Sequence, residues 1–300
     1  MTWWVSYEYG RLLSGSSVWP LPCQEILAAL RATVWTFRGW EWRAWIGDTQ
    51  VPQRTLAAFR LLDPSGNHWK HYLWLWRRNF TQAYEEQESA WIGSGRLPDN
   101  LRVDYVGLEH FSEPLPPTLL LTTHFGSAIL GGAFLGRLGW SIDSVGSAVV
   151  EHPALPEAVR HHYARKFHQI GRMHQGRVIL VERQPKAPYQ TLTAGRSLIL
   201  FVDMPPPTPE AGAVTLRFMG HSCRLAQGAL RIALRTQVPV AAYLVQRLRP
   251  GRYRVHLAPP RPVKREEDLQ PIFDFFTAHM QSAPWAWWAA DLLPLMVQRP

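Results

Sequence analysis

The sequence predicts an α/β protein in which a central, mostly buried mixed sheet is flanked by helices and preceded by a helical N-terminal region. Three observations carry that expectation. Residues 24–92 hold long stretches of helix-favouring residues with apolar groups at helical spacing. From about residue 101 the texture changes to short β-type runs alternating with helical segments. Proline-rich stretches at 114–117 and 205–209, which cannot continue a helix or a central strand, punctuate the second part as loops. The expected organisation is therefore a helical region over 1–100 packed on an α/β domain over 101–300.

In the N-terminal part, QEILAALRATVWTF and HWKHYLWLWRRNFTQAYEEQ read as helices. The second places Trp69, Leu73, Trp76 and Phe80 three or four residues apart, a stripe expected to face the core. The β-type runs are LRVDYVG, TLLLTTH, IDSVGSAVV, RVILVE, RSLILFVD, VTLRF, VPVAAYLVQ and YRVHLAPP. The segment GHSCRLAQG, which contains Cys223, reads as a loop. Helical texture returns in REEDLQPIFDFFTAHMQSA, and PWAWWAADLLP closes the chain with a tryptophan cluster between Pro284 and Pro294.

At 300 residues and 46% hydrophobic content the chain can bury a substantial core, which excludes a disordered protein. The formal charge of +9, from 32 Lys and Arg against 23 Asp and Glu, favours an anionic partner. The basic residues are dispersed and no nucleic-acid-binding signature accompanies them, so no nucleic-acid partner is expected. Cys23 and Cys223 have neither disulfide-framework nor metal spacing, which fits a reducing, cytoplasmic compartment. The first residues lack the features of a cleaved signal, and no stretch reads as a membrane-spanning helix. Fifteen Trp residues and the basic balance suit a protein resting on an anionic bilayer, or else a core rich in indoles.

The chemistry centres on TLLLTTHFGSAILGGAFLGRLG, a strand ending at His124, then Phe125-Gly126-Ser127 leading into a helix. A neutral imidazole at a sheet edge can remove a proton from an attacking hydroxyl or amine, while nearby backbone donors steady the developing oxyanion. His161, His162, His168 and His174 lie among Arg and Lys, which would repel a metal ion; a basic solvated helix and no metal are expected. Cys223 and Ser127 have no nucleophile setting around them.

Four segments, in order over roughly residues 100–290, resemble the lysophospholipid acyltransferase superfamily, and within it the lipid A late-acyltransferase (lauroyl/myristoyl) type. TTHFGSAIL is similar to its block after a strand, in which the histidine is general base. VVEHPALPEAVRHHYARKFHQIGRMHQGRVILV resembles the acceptor-site segment, AGRSLILFVDMPPP the strand and aspartate loop with Asp203 at the matching position, and LRFMGHSCRLAQGALRIALRTQVPVAAYLV the following block, helix and strand. The pattern departs from the family twice. Ile129 stands where a carboxylate five residues after the histidine orients the imidazole. Ser147, Ala148 and Val149 stand near where an arginine grips a phosphorylated acceptor. Glu151, Asp203 or Ser127 remain as candidates to orient His124, and Arg172 either binds an anion or pairs on the surface.

The resemblance implies a glycerol-3-phosphate acyltransferase-like fold and transfer of a fatty acyl group from an acyl carrier protein or coenzyme A thioester to a hydroxyl or amine acceptor, lipid-like or a specialised metabolite. His124 would be the base, Gly126 and neighbouring amides would assist the oxyanion, and Asp203 would shape the site. No bound cofactor is expected, the thioester being a co-substrate. The implied partners are acyl carrier protein and an anionic membrane surface, with the protein peripheral at the cytoplasmic side of the inner membrane. The alternative, suggested by Ile129, is a catalytically inactive module that keeps the fold to bind acyl chains or acyl carrier protein.

Overall fold

The computed structural model describes residues 2–39 and 42–298. Short helical turns over residues 2–16 precede three long helices, α1 (Leu21–Arg38), α2 (Val51–Leu62) and α3 (His68–Gly93). Helix α1 starts with Pro22 inside its first turn and ends at Gly39, whose positive φ of 60° is the left-handed cap that glycine adopts without strain. Asn67 opens α3 by accepting a hydrogen bond from the Lys70 amide at 2.9 Å.

The strands and helices that follow are β1 (Arg102–Val106), β2 (Leu119–Thr122), α4 (Ala128–Gly136), β3 (Ile142–Gly146), α5 (Glu157–Met173), β4 (Val178–Leu180), α6 (Ala187–Thr193) and β5 (Ser197–Phe201). The chain then forms β6 (Ala213–Phe218), β7 (His221–Ala226), α7 (Gly228–Thr236), β8 (Val240–Arg249), β9 (Arg252–Arg261) and α8 (Gln270–Met280). Seven strands make one sheet in the order β1-β9-β8-β2-β5-β3-β4. Neighbours run parallel except β8 and β9, an antiparallel hairpin, so the sheet is mixed as the sequence predicts.

Strands β6 and β7 form a separate antiparallel hairpin, with Leu216 opposite Cys223. The segment read from sequence as a loop around Cys223 is thus a strand. Its alternation is Cys223 and Leu225 inward against Ser222 and Arg224 outward, a period too short to register beside two flanking glycines.

Alternation along the central strands divides the core into two layers. Leu119, Leu121, Leu198, Ala242 and Leu244 share one cluster with α7 and α8. Leu120, Ile199, Ala241, Tyr243 and Val245 share the other with Ala28 and Trp35 of α1, Tyr84 and Trp91 of α3 and Phe134 of α4. Helix α1 and the second half of α3 therefore cover one face of the sheet, whereas Ala58 and Phe59 of α2 and Trp74 and Leu75 of α3 pack in the other cluster.

The expected core stripe on α3 holds only in its second half, where Trp76 and Phe80 are half-buried and Phe80 packs against the core. Trp69 is 80% and Leu73 50% exposed, while Trp74, Leu75 and Arg78 are buried. Apolar side chains occupy both sides of this half-helix, and periodicity alone does not choose between two apolar faces. Further along, every residue from Gln82 to Ile92 is buried, charged ones included. No described helix is long and apolar enough to cross a membrane.

Candidate active site

Strand β2 is fully buried between β8 and β5 and delivers His124 to the C-terminal end of the parallel strands, where open α/β sheets commonly place ligands. Register explains the partner it meets there. Thr122 pairs with Phe201, so His124 and Asp203 each lie two residues past the same rung. They converge because the two strands end together.

Asp203 has no solvent exposure and is held by three hydrogen bonds. Its Oδ2 accepts from the His124 backbone N–H at 2.8 Å and from Trp287 Nε1 at 2.7 Å, and its Oδ1 lies 2.9 Å from His124 Nδ1. Burial by itself pushes the carboxyl's pKa up; the adjacent imidazole and the hydrogen bonds outweigh it, and the net shift is downward. Asp203 is therefore a carboxylate, which accepts only. In the neutral imidazole of His124, Nδ1 therefore carries the hydrogen and Nε2 the lone pair.

The ring is fixed on its other sides too. It stacks on Phe201 with centroids 4.3 Å apart and meets Trp288 edge-on at 4.5 Å. The Trp288 backbone N–H donates to the His124 carbonyl at 3.0 Å. Adjacent indoles in the C-terminal segment thus serve the site from two directions, Trp287 on the carboxylate and Trp288 on the imidazole. The sequence reading placed no site role on either. A tryptophan pair between prolines was the available signal, but nothing in it specifies a carboxylate 84 residues away.

Of the three candidates to orient His124, the structure selects Asp203. Glu151 is exposed and ion-paired with Arg183. Ser127 donates instead to Glu88 of α3 at 2.7 Å, and Tyr253 donates to the same Glu88 oxygen at 2.8 Å. Arg172 does not join the site. It lines a surface pocket with Asp143, Arg177 and Arg196, at the end of the sheet where β3 and β5 begin. Ile129, the position of the missing carboxylate, lines a small cavity beside Phe167 and Phe201.

The oxyanion role expected of the loop amides meets a geometric obstacle. Gly126 N–H donates to the Ala286 carbonyl at 2.8 Å and Ser127 N–H to the Val245 carbonyl at 3.3 Å, so both are engaged. Gly126 has a positive φ of 59°, and a Cβ there would stand 2.2 Å from the Val245 carbonyl oxygen. Its function in this loop is close backbone approach, which only glycine allows. The indole Nε1 of Trp288, by contrast, is buried with no hydrogen-bond partner among the described residues.

A cleft of about 310 Å³ opens on Phe125, Gly126 and Ser127. Aromatic side chains of α3 (Trp76, Phe80, Tyr84) and Trp285 line it, and Arg77 and Arg247 pack their guanidinium groups over Trp285 and Tyr84 at 4.6 and 4.3 Å. The cleft is within the size range of small-molecule sites.

One further expectation is revised. The histidines of α5 do not all lie on a solvated face: His162 and Lys166 are buried, as is His174 just beyond the helix. Burial pushes His162 down to about 3 and His174 to about 4, which keeps both neutral. Among the described residues no group of His, Cys, Asp or Glu could hold a metal ion. Cys223 is sealed in the core with its thiol pushed up to about 12 by burial, and it points at the Phe218 carbonyl rather than a base.

No family model matches the chain, and no curated protein matches it. Among solved structures it is similar to the crystal structure of the 1-acyl-sn-glycerophosphate (LPA) acyltransferase PlsC from Thermotoga maritima, at 13% identity over 87% of this chain and 97% of that one, with a TM-score of 0.37.

Proposed function

We propose that the protein is an acyltransferase in which His124 is the general base. The observation that carries this reading is the His124–Asp203 pair, with Nδ1 committed to a buried carboxylate and Nε2 left as the basic atom, beside an aromatic cleft. An imidazole so oriented takes the proton from an acceptor as it attacks an acyl carbonyl and returns it to the leaving group. In the proposed reaction a fatty acyl thioester of acyl carrier protein or coenzyme A is the donor and a hydroxyl or amine compound the acceptor. The acyl chain occupies the cleft of Trp76, Phe80 and Trp285. The reading places the chain in the lysophospholipid acyltransferase superfamily, with a lipid A late-acyltransferase-like type as the finer assignment.

The same proposal puts the protein at the cytoplasmic face of the inner membrane. Helix α1 exposes Ile26, Leu30, Val34 and Phe37 along one side, Phe37 at 86%, and Trp69 and Leu73 of α3 add to the exposed apolar groups. An apolar surface on a chain of charge +9 suits peripheral docking on anionic lipid. The non-catalytic alternative rested on Ile129, and Asp203 supplies the carboxylate whose loss motivated it.

The test is intact-mass product detection with fatty acyl-carrier-protein and acyl-coenzyme A donors and a cell extract of acceptors, comparing wild type with His124→Ala. Acylated product that vanishes in the variant supports the proposal. Donor binding without product in either protein would replace it with the binding-module reading.

A further inference from the structure

The buried half of α3 carries more negative charge than its surroundings neutralise. Glu85, Glu86 and Glu88, with Glu8 from the N-terminal turns, are all buried, and the cations buried among them are Arg31 and Lys166. Arg31 is matched twice over, by Glu8 at 2.5 Å and by Glu86, which also accepts from Tyr9 at 2.7 Å. Glu88 is held by Ser127 and Tyr253. Lys166 sits over the Tyr163 ring with its nitrogen 5.2 Å from the centroid.

Glu85 alone of these carboxylates makes no hydrogen bond or ion pair with any described residue, although it is only 5% exposed. Buried carboxylates without partners are costly, and they take up either a proton or a cation. Burial pushes Glu85 up to about 7, even though Lys166 and, more weakly, His124 attract the charged form.

Its position on α3 puts it on the side that faces the loop carrying His124. One helix face presents Arg78, which donates to the Trp288 carbonyl at 2.7 Å, and Glu88, which receives Ser127. Glu85 lies seven residues after the first and three before the second, so it shares the face turned toward the loop that carries His124. The side of α3 that faces the His124 loop thus carries an acid with no hydrogen-bond or ion-pair partner among the described residues.

An alcohol acceptor has one proton to lose, and His124 suffices for it. A primary amine arrives as an ammonium ion and has two. We propose that Glu85 is the acceptor-binding carboxylate of this site, and that the acceptor is accordingly a primary amine rather than an alcohol or a phosphorylated lipid. This rests on the acyl-transfer reading above. Ionised Glu85 holds the ammonium and takes its first proton. The neutral amine attacks the thioester carbonyl, forming the C–N bond; His124 Nε2 takes the second proton and passes it to sulfur as the C–S bond breaks. Amide, thiol and protonated Glu85 result, and Glu85 loses its proton to solvent.

The experiment compares decylamine with decanol as acceptors for one acyl-coenzyme A, using full-length wild type, His124→Ala, Glu85→Gln and Glu85→Asp, from pH 6 to 8.5. Wild type is expected to favour amide over ester by about tenfold or more in kcat/KM, the worth of one charge-assisted contact. Amine kcat/KM should rise with pH through about 7, because binding requires the ionised carboxylate. In Glu85→Gln the preference should fall by about tenfold and the amine pH profile should come to match the alcohol profile, with partial recovery in Glu85→Asp. His124-dependent ester formation in preference to amide, or a preference untouched by Glu85→Gln, overturns the proposal and leaves the acyltransferase reading standing. Absence of any His124-dependent turnover of the donor removes both. Should Glu85→Gln not fold, the wild-type preference and the difference between its amine and alcohol pH profiles decide.

Discussion

Asp203 and Glu88 are both buried carboxylates on opposite sides of the same loop, and their ionisation is driven in opposite directions. Asp203 faces His124 and receives three donors, two of them on one oxygen, and it is held below the ordinary carboxylate range. Glu88 receives two hydroxyl donors on a single oxygen, its other oxygen has no partner among the described residues, and it is pushed up to about 7. Depth of burial is the same; the difference is the number and charge of the donors. A buried acid becomes a permanent carboxylate where N–H donors and an imidazole converge on it, and a proton store where only neutral hydroxyls do.

The comparison is most directly broken at Asp203. Asp203→Asn keeps the shape but presents an amide to Nδ1, which favours the tautomer with its hydrogen on Nε2. Turnover should fall by about 10⁴-fold, measured as kcat for acyl transfer, with donor binding retained.

Glu88→Gln sharpens the other side. A carboxyl whose folded pKa is raised stabilises the fold below its unfolded value, and that contribution is lost as pH rises through the folded value. For Glu88 the window runs from 4.5 to about 7. Glutamine keeps an acceptor oxygen for Ser127 and Tyr253 and removes the titration. Relative to wild type, the variant should therefore gain roughly 3 kcal/mol between pH 4.5 and 8, read from denaturant unfolding at the two pH values. An unchanged difference would mean that water reaches Glu88 and the contrast with Asp203 is smaller than the geometry implies.

The smallest expected effect belongs to Trp287→Phe, which deletes one of the three donors to Asp203. The carboxylate should become easier to protonate, and the acid limb of the activity profile should move up by about one pH unit. An unmoved limb would show that His124 alone sets the ionisation of Asp203.

The α/β class, the β-type runs of the central sheet and the position of His124 were legible because each is a local property: short apolar runs bounded by turn residues, and a histidine where one such run stops. The reading of α3 failed for Trp69 and Leu73 on the same local logic, since they share their helical spacing with residues that are buried. Strand β7 was missed because its alternation spans only six residues.

By itself the sequence singled out His124 as the candidate base and placed it at the end of a buried strand. Only the tertiary structure decided what surrounds it. Asp203 reaches His124 because β2 and β5 run side by side in one register, 79 residues apart in the chain. Trp287 and Trp288 arrive from the last elements, and Glu85 and Glu88 from a helix that precedes the sheet altogether. Pairing in register and burial are non-local: they depend on which strands become neighbours and which helix face is covered, and these same contacts set the charge on each acid.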